Sequence, residues 1–126
     1  MSRFEGLDFM NIDTLLSEEE RMVRDAVRNW VEQRFLPVIA EHHRAGTFPM
    51  ELVPEMAELG CFGSHIDGYG CAGLNNVAYG LMLQELERGD SGLRSFASVQ
   101  SALVMFPILT YGTEAQKDHW LPKLAK

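Results

Sequence analysis

Cysteine is scarce in this chain of 126 residues: the two present, Cys61 and Cys71, cannot make a disulfide framework and lack the CxxC spacing of a zinc site. They read as free thiols in or near a core. Basic charge is also in deficit, with 11 Lys and Arg against 18 Asp and Glu for a net charge of −7. No Lys/Arg cluster exists to neutralise phosphates, which excludes a nucleic-acid binder. Uninterrupted apolar runs are only a few residues long, so no membrane span is expected. No segment alternates with the period of a strand, and no internal repeat occurs. The start, MSRFEGLDFMNID, has neither the apolar core of a signal peptide nor the Arg-rich, acid-poor character of a transit peptide, so a cytoplasmic location is expected. A nucleophile elbow, an HExxH pair and a Walker loop are all missing.

What remains is ordinary for a globular domain, with 46% hydrophobic and 23% charged residues. A chain of this length can bury about two thirds of its unfolded surface around one core. Residues 1–13 show no periodicity, yet Phe4, Leu7, Phe9, Met10 and Ile12 are more apolar than a free tail needs, so part of this arm is expected to pack. Ser17 with Glu20 makes a capping box. The helix it opens carries Val23, Val27, Trp30, Val31, Val38 and Ile39 on one side and reaches about His43, with a kink at Pro37. His42 and His43 suit its C-terminal dipole and have no third partner for a metal. Gly46 breaks the helix. A short second helix follows Pro49 and ends at Gly60.

Residues 60–73, GCFGSHIDGYGCAG, are rich in glycine, and Gly68, Gly70 and Gly73 match GxGxxG. The strand and βαβ context of a dinucleotide site is missing, so a turn that brings helices close is the better reading. Asn75 or Asn76 caps a third helix that is apolar nearly all round. Ser91 is expected to cap a fourth helix, kinked at Pro107 and closed by Gly112. Thr113 with Gln116 opens a last helix through Trp120, which Pro122 should interrupt. The expectation is an all-α fold, an orthogonal, irregular bundle of five to six helices with the third and fourth nearly buried.

Between those two helices lies QELERGDSGLRS, residues 84–95, with Glu85, Glu87, Asp90, Arg88 and Arg94 crowded into an apolar neighbourhood. Buried ions need partners. Glu87 and Arg94 stand seven residues apart across a turn and can meet at a helix corner. Arg94 also lies in a first helical turn, where backbone N–H groups favour anions, and Ser95 adds a hydroxyl. Two readings stay open: a pair that stitches helices together, or an anchor for a small acid's carboxylate.

The combination of GYGCAG, VAYGLMLQELERGDSGLRS, SVQSALVMFPILTYGTEAQKDHWLPKLAK and SEEERMVRDAVRNWV resembles the N-terminal helical domain of the acyl-CoA dehydrogenases, in its glutaryl-CoA branch, from about Leu15 to Lys126. The resemblance implies an arm over 1–13 and that helical domain over 14–126. It also implies an FAD-dependent oxidoreductase that removes a proton and a hydride from an acyl-CoA, here glutaryl-CoA, and decarboxylates the product to crotonyl-CoA. Electron-transfer flavoprotein as acceptor and a homo-tetramer are implied as well. Residues matching Arg94 and Ser95 hold the distal carboxylate in that branch, and the glutamate matching Glu87 orients the arginine. The flavin-binding β-domain and the C-terminal domain with its catalytic glutamate have no counterpart in these 126 residues, so this segment alone is expected to hold FAD weakly or not at all and to be inactive. The alternatives are another acyl specificity or a non-catalytic all-α interaction module.

Overall fold

The computed structural model describes residues 6–126, and within them every regular element is helical. Helix α1, Glu18–Trp30, starts at the capping box, with Glu20 N–H donating to Ser17 Oγ and Ser17 N–H donating to Glu20 Oε2. It continues through a π-helical turn, Val31–Phe35, into α2, Leu36–Ala45. A 3-10 turn, Met50–Leu52, leads to the short α3, Val53–Glu58. Helix α4, Asn76–Gly89, is capped by Asn75. Helix α5, Ser91–Ser98, passes through a second π-helical turn, Val99–Met105, into α6, Phe106–Tyr111. Helix α7, Glu114–Leu124, opens on the Thr113/Gln116 box.

Both π-helical turns come immediately before a proline. Leu36 N–H bonds the carbonyl of Val31, and Phe106 N–H bonds that of Ser101, each five residues back and each one residue before Pro37 or Pro107. Proline has no N–H and crowds the carbonyl four residues earlier. The wider turn accommodates that ring without ending the helix, so each expected kink is a local change of register. Pro122 does not interrupt α7, which runs on to Leu124.

Helix α1 lies across α4, and α5 folds back on α4. Val27, Val31 and Phe35 meet Met82, Leu86 and Leu93 in one buried core. Gly89 packs tightly against the first π-helical turn: a Cβ there would stand 3.0 Å from Val31 Cγ1 and 3.2 Å from Phe35 Cδ1. The loop after α3 is pinned to the second π-helical turn, with Gly63 N–H donating to Ser101 Oγ at 2.9 Å.

Two packing expectations are corrected. In the arm, residues 1–5 lie outside the described residues, while Leu7, Phe9, Met10, Ile12 and Leu15 are 51–90% exposed. Polar bonds tether it instead: Arg24 forks onto the Asp13 carboxylate, and Arg21 donates to the carbonyls of Asp13 and Leu16. The rod from α5 to α6 is not nearly buried either, since Val99, Leu103 and Phe106, spaced four and three apart, form an exposed apolar stripe. This rod, Ser91–Tyr111, is 21 residues long with a mean hydropathy of 1.3, enough by length and composition to cross a membrane. Two of its polar side chains are bonded within the fold, Ser101 to the glycine loop and Gln100 to the carbonyl of Leu124 at 2.9 Å.

Candidate functional site

Asp90 alone makes the corner between α4 and α5. Its N–H bonds the carbonyl of Leu86 and its carboxylate accepts from Gly92 N–H at 2.7 Å, so the same residue closes one helix and caps the next. The cap is therefore Asp90 and not the expected Ser91. A carboxylate outcompetes a hydroxyl here because it also complements the positive end of the helix dipole.

The corner brings Glu87 and Arg94 together, with Arg94 Nε donating to Glu87 Oε2 at 2.7 Å. Arg94 Nη1 makes only a long contact to Ser98 Oγ, 3.4 Å, and Nη2 has no partner among the described residues. The two side chains are 37% and 48% exposed respectively, so this pair lies at the surface of the corner and not in its floor. A guanidinium held at Nε keeps its outer edge for a second carboxylate.

The buried ion of the stretch is Glu85. Its side chain is 1% exposed and receives Arg28 at 2.7 Å and Arg88 at 2.8 Å; Arg88 also reaches Glu32 at 3.4 Å. Burial is the largest influence on Glu85 and pushes its carboxyl up, but the bonds and charges of the two arginines together outweigh it and hold it below the usual range. The network ties α4 to α1 directly behind the corner.

Ser95 follows Arg94 on α5. It lines an open, mostly apolar cleft of about 360 Å³ with Phe48, Gly92, Phe96, Val99 and Gln100. Phe96 is fixed there by a stack on Phe48, ring centres 5.0 Å apart, and by the edge of Phe62 at 5.9 Å. The proposed residues thus form an adjacent pair, one ionic at the corner and one polar at an apolar cleft. Sequence reasoning missed Ser98 and Gln100 beside them; their signal was polarity at helical spacing in an otherwise apolar segment.

Other candidates are structural. His42 Nδ1 is 2.9 Å from Thr47 Oγ1, and no metal-binding cluster occurs among the described residues. Cys61 and Cys71 are free. No strand precedes the GxGxxG match among the described residues.

The arrangement is an all-helical domain with one tight corner that presents a guanidinium paired at Nε, next in sequence to a serine at an apolar cleft. Residues 17–126 match the acyl-CoA dehydrogenase N-terminal domain, and the chain belongs to that family. A crystal structure of a glutaryl-CoA dehydrogenase from Mycobacterium smegmatis in complex with FADH2 superposes with a TM-score of 0.91 at 49% identity, over 94% of this chain and 31% of that one. The (2S)-methylsuccinyl-CoA dehydrogenase of Cereibacter sphaeroides is 39% identical over 112 residues, 87% of this chain and 20% of its own length. The glutaryl-CoA dehydrogenase of Desulfococcus multivorans is 36% identical over 118 residues, 90% of this chain and 30% of its own. The chain thus spans between a fifth and a third of these relatives.

Proposed function

We propose that residues 14–126 are the substrate-pocket wall of an FAD-dependent acyl-CoA dehydrogenase acting on glutaryl-CoA, with Arg94 and Ser95 holding the distal carboxylate and Glu87 orienting the arginine. The observation that carries this reading is the Arg94 geometry: Nε is taken by Glu87 while Nη2 has no partner among the described residues. That edge points outward from a side chain 37% exposed, the geometry a bidentate carboxylate contact needs. Likeness to a glutaryl-CoA dehydrogenase at 49% identity supports the same substrate. The methylsuccinyl-CoA relative favours a second specificity, since that acyl group also ends in a carboxylate.

FAD in the whole protein supplies the acceptor for the β-hydride. In the glycine loop, Met105 Cε lies 2.5 Å from where a Gly63 Cβ would stand and Asp67 Oδ1 lies 2.9 Å from that of Gly73, while a Cβ at Gly68 or Gly70 would meet nothing within 4 Å. Flavin contact, the base that takes the α-proton, and docking of electron-transfer flavoprotein then fall to other parts of a longer protein. This domain's share of the chemistry is to bind and orient: the apolar cleft takes the acyl chain and Arg94 fixes its far end.

The test is Arg94→Ala in the full-length protein, assayed on glutaryl-, methylsuccinyl- and butyryl-CoA. Loss of a charge-assisted contact should cost about 2 kcal/mol or more on the dicarboxylic substrate and little on butyryl-CoA. Equal losses on all three would remove the anchor role.

A further inference from the structure

Gly89 has a negative φ and closes a helix, where propensity would favour alanine. No backbone conformation demands glycine there. The demand comes from packing: the missing Cβ would stand 3.0 Å from Val31 Cγ1 and 3.2 Å from Phe35 Cδ1, both on the first π-helical turn and both fully buried. Neither can yield into solvent, and interiors transmit such displacements because they are close-packed. Two residues before Gly89 is Glu87, and five after it is Arg94, joined across the corner at 2.7 Å.

We infer that Gly89 is a positioning residue for the carboxylate anchor: its contact with Val31 and Phe35 sets how α4 meets α5, and so sets the Glu87–Arg94 geometry. The geometric part stands on the Gly89 contacts, and its consequence for substrate choice rests on Arg94 being the carboxylate anchor. Gly89→Ala would lift the corner off the π-helical turn and loosen the bond at Arg94 Nε. Val31→Ala removes the nearer of the two atoms that the new Cβ meets and opens room into which the Phe35 ring, 3.2 Å away, can shift, so the double variant should seat again.

The Arg94 Nε–H resonance of this 126-residue chain, followed by solvent-exchange NMR, reads the geometry without any substrate. Gly89→Ala should speed its exchange at least fivefold, and Gly89→Ala with Val31→Ala should restore it. In the full-length protein the same single change should raise the KM for glutaryl-CoA about tenfold over that for butyryl-CoA, again reversed by Val31→Ala. Unchanged exchange at Arg94, equal effects on both substrates, or no rescue would each overturn the inference. Arg94→Ala serves as the control. If it does not discriminate between the substrates, the carboxylate reading fails by itself and the exchange measurement decides the role of Gly89.

Discussion

Glu85 on α4 accepts from Arg28 on α1 at 2.7 Å, joining residues 57 apart in sequence through a carboxylate that is almost wholly buried. Replacing one member of a buried network strands its partners. Glu85→Ala should therefore destabilise the chain by about 3 kcal/mol, below the upper range because Arg28 and Arg88 keep some solvent. Urea midpoints at unchanged slope measure it. A loss under about 0.5 kcal/mol would mean that the network behaves like a surface pair.

Glu55 carries the clearest acid signature. Arg34, donating at 2.6 and 3.0 Å, and secondly Trp30 Nε1 at 2.8 Å hold its carboxyl down to about 2. Because the folded group ionises more readily than the unfolded one, its stabilisation is fully present above the ordinary carboxylate range and drains away as pH falls from about 4.5 towards 2. Glu55→Gln should flatten the pH dependence of the urea midpoint in that window and leave its slope above pH 6 unchanged. An unaltered acid limb would show that other carboxylates dominate.

Glu87→Gln keeps an acceptor for Arg94 Nε but removes its charge. In the full-length protein it should raise the KM for glutaryl-CoA roughly fivefold, about 1 kcal/mol, with Glu87→Ala raising it further. Ser95→Ala should act on the same substrate more weakly than Arg94→Ala. Kinetics on the variant series gives the order, and a stronger effect from Ser95 than from Arg94 would reverse the assignment.

At Gly63, φ is +62° and a Cβ would lie 2.5 Å from Met105 Cε. Gly63→Ala meets both the left-handed backbone and the overpacked core, and should cost about 2–3 kcal/mol in thermal or urea unfolding. Met105→Ala in the same chain should relieve the clash and not the backbone strain, so recovery should be incomplete. Full recovery would leave no role for φ.

The two thiols should separate by reactivity. Cys61 is buried and burial pushes its thiol up to about 12, whereas Cys71 is only half-buried and its thiol is pushed up less far. Iodoacetamide on the native chain, read by mass spectrometry, should label Cys71 first and Cys61 only on unfolding. Equal labelling would show that the loop after α3 opens freely.

Much of the fold was legible because its signals are local. Ser17 with Glu20 and Thr113 with Gln116 are three residues apart, close enough for the chain itself to bring donor and acceptor together. Asn75 did the same for α4. Ser91 is a good cap residue by type, and only the extended backbone at Asp90 shows that the cap lies one residue earlier. The arm misled because apolar composition reports a tendency to pack and not the presence of a surface to pack on. Pro122 misled because a proline removes one N–H bond to the carbonyl four residues back, and here the neighbouring turns carry α7 on to Leu124 despite that loss.

By itself the amino-acid order determined the helices and put Glu87 within reach of Arg94, since seven residues across one sharp turn bring those side chains near each other. Tertiary structure alone decided which charge is buried. Glu85, Glu87 and Arg88 share one helix, and it is the arrival of Arg28 from α1 and of Val31 from the π-helical turn after it that sinks Glu85, leaves Glu87 at the corner and leaves little room for a side chain at Gly89. Burial depends on what lies opposite, and what lies opposite comes from a helix more than fifty residues away.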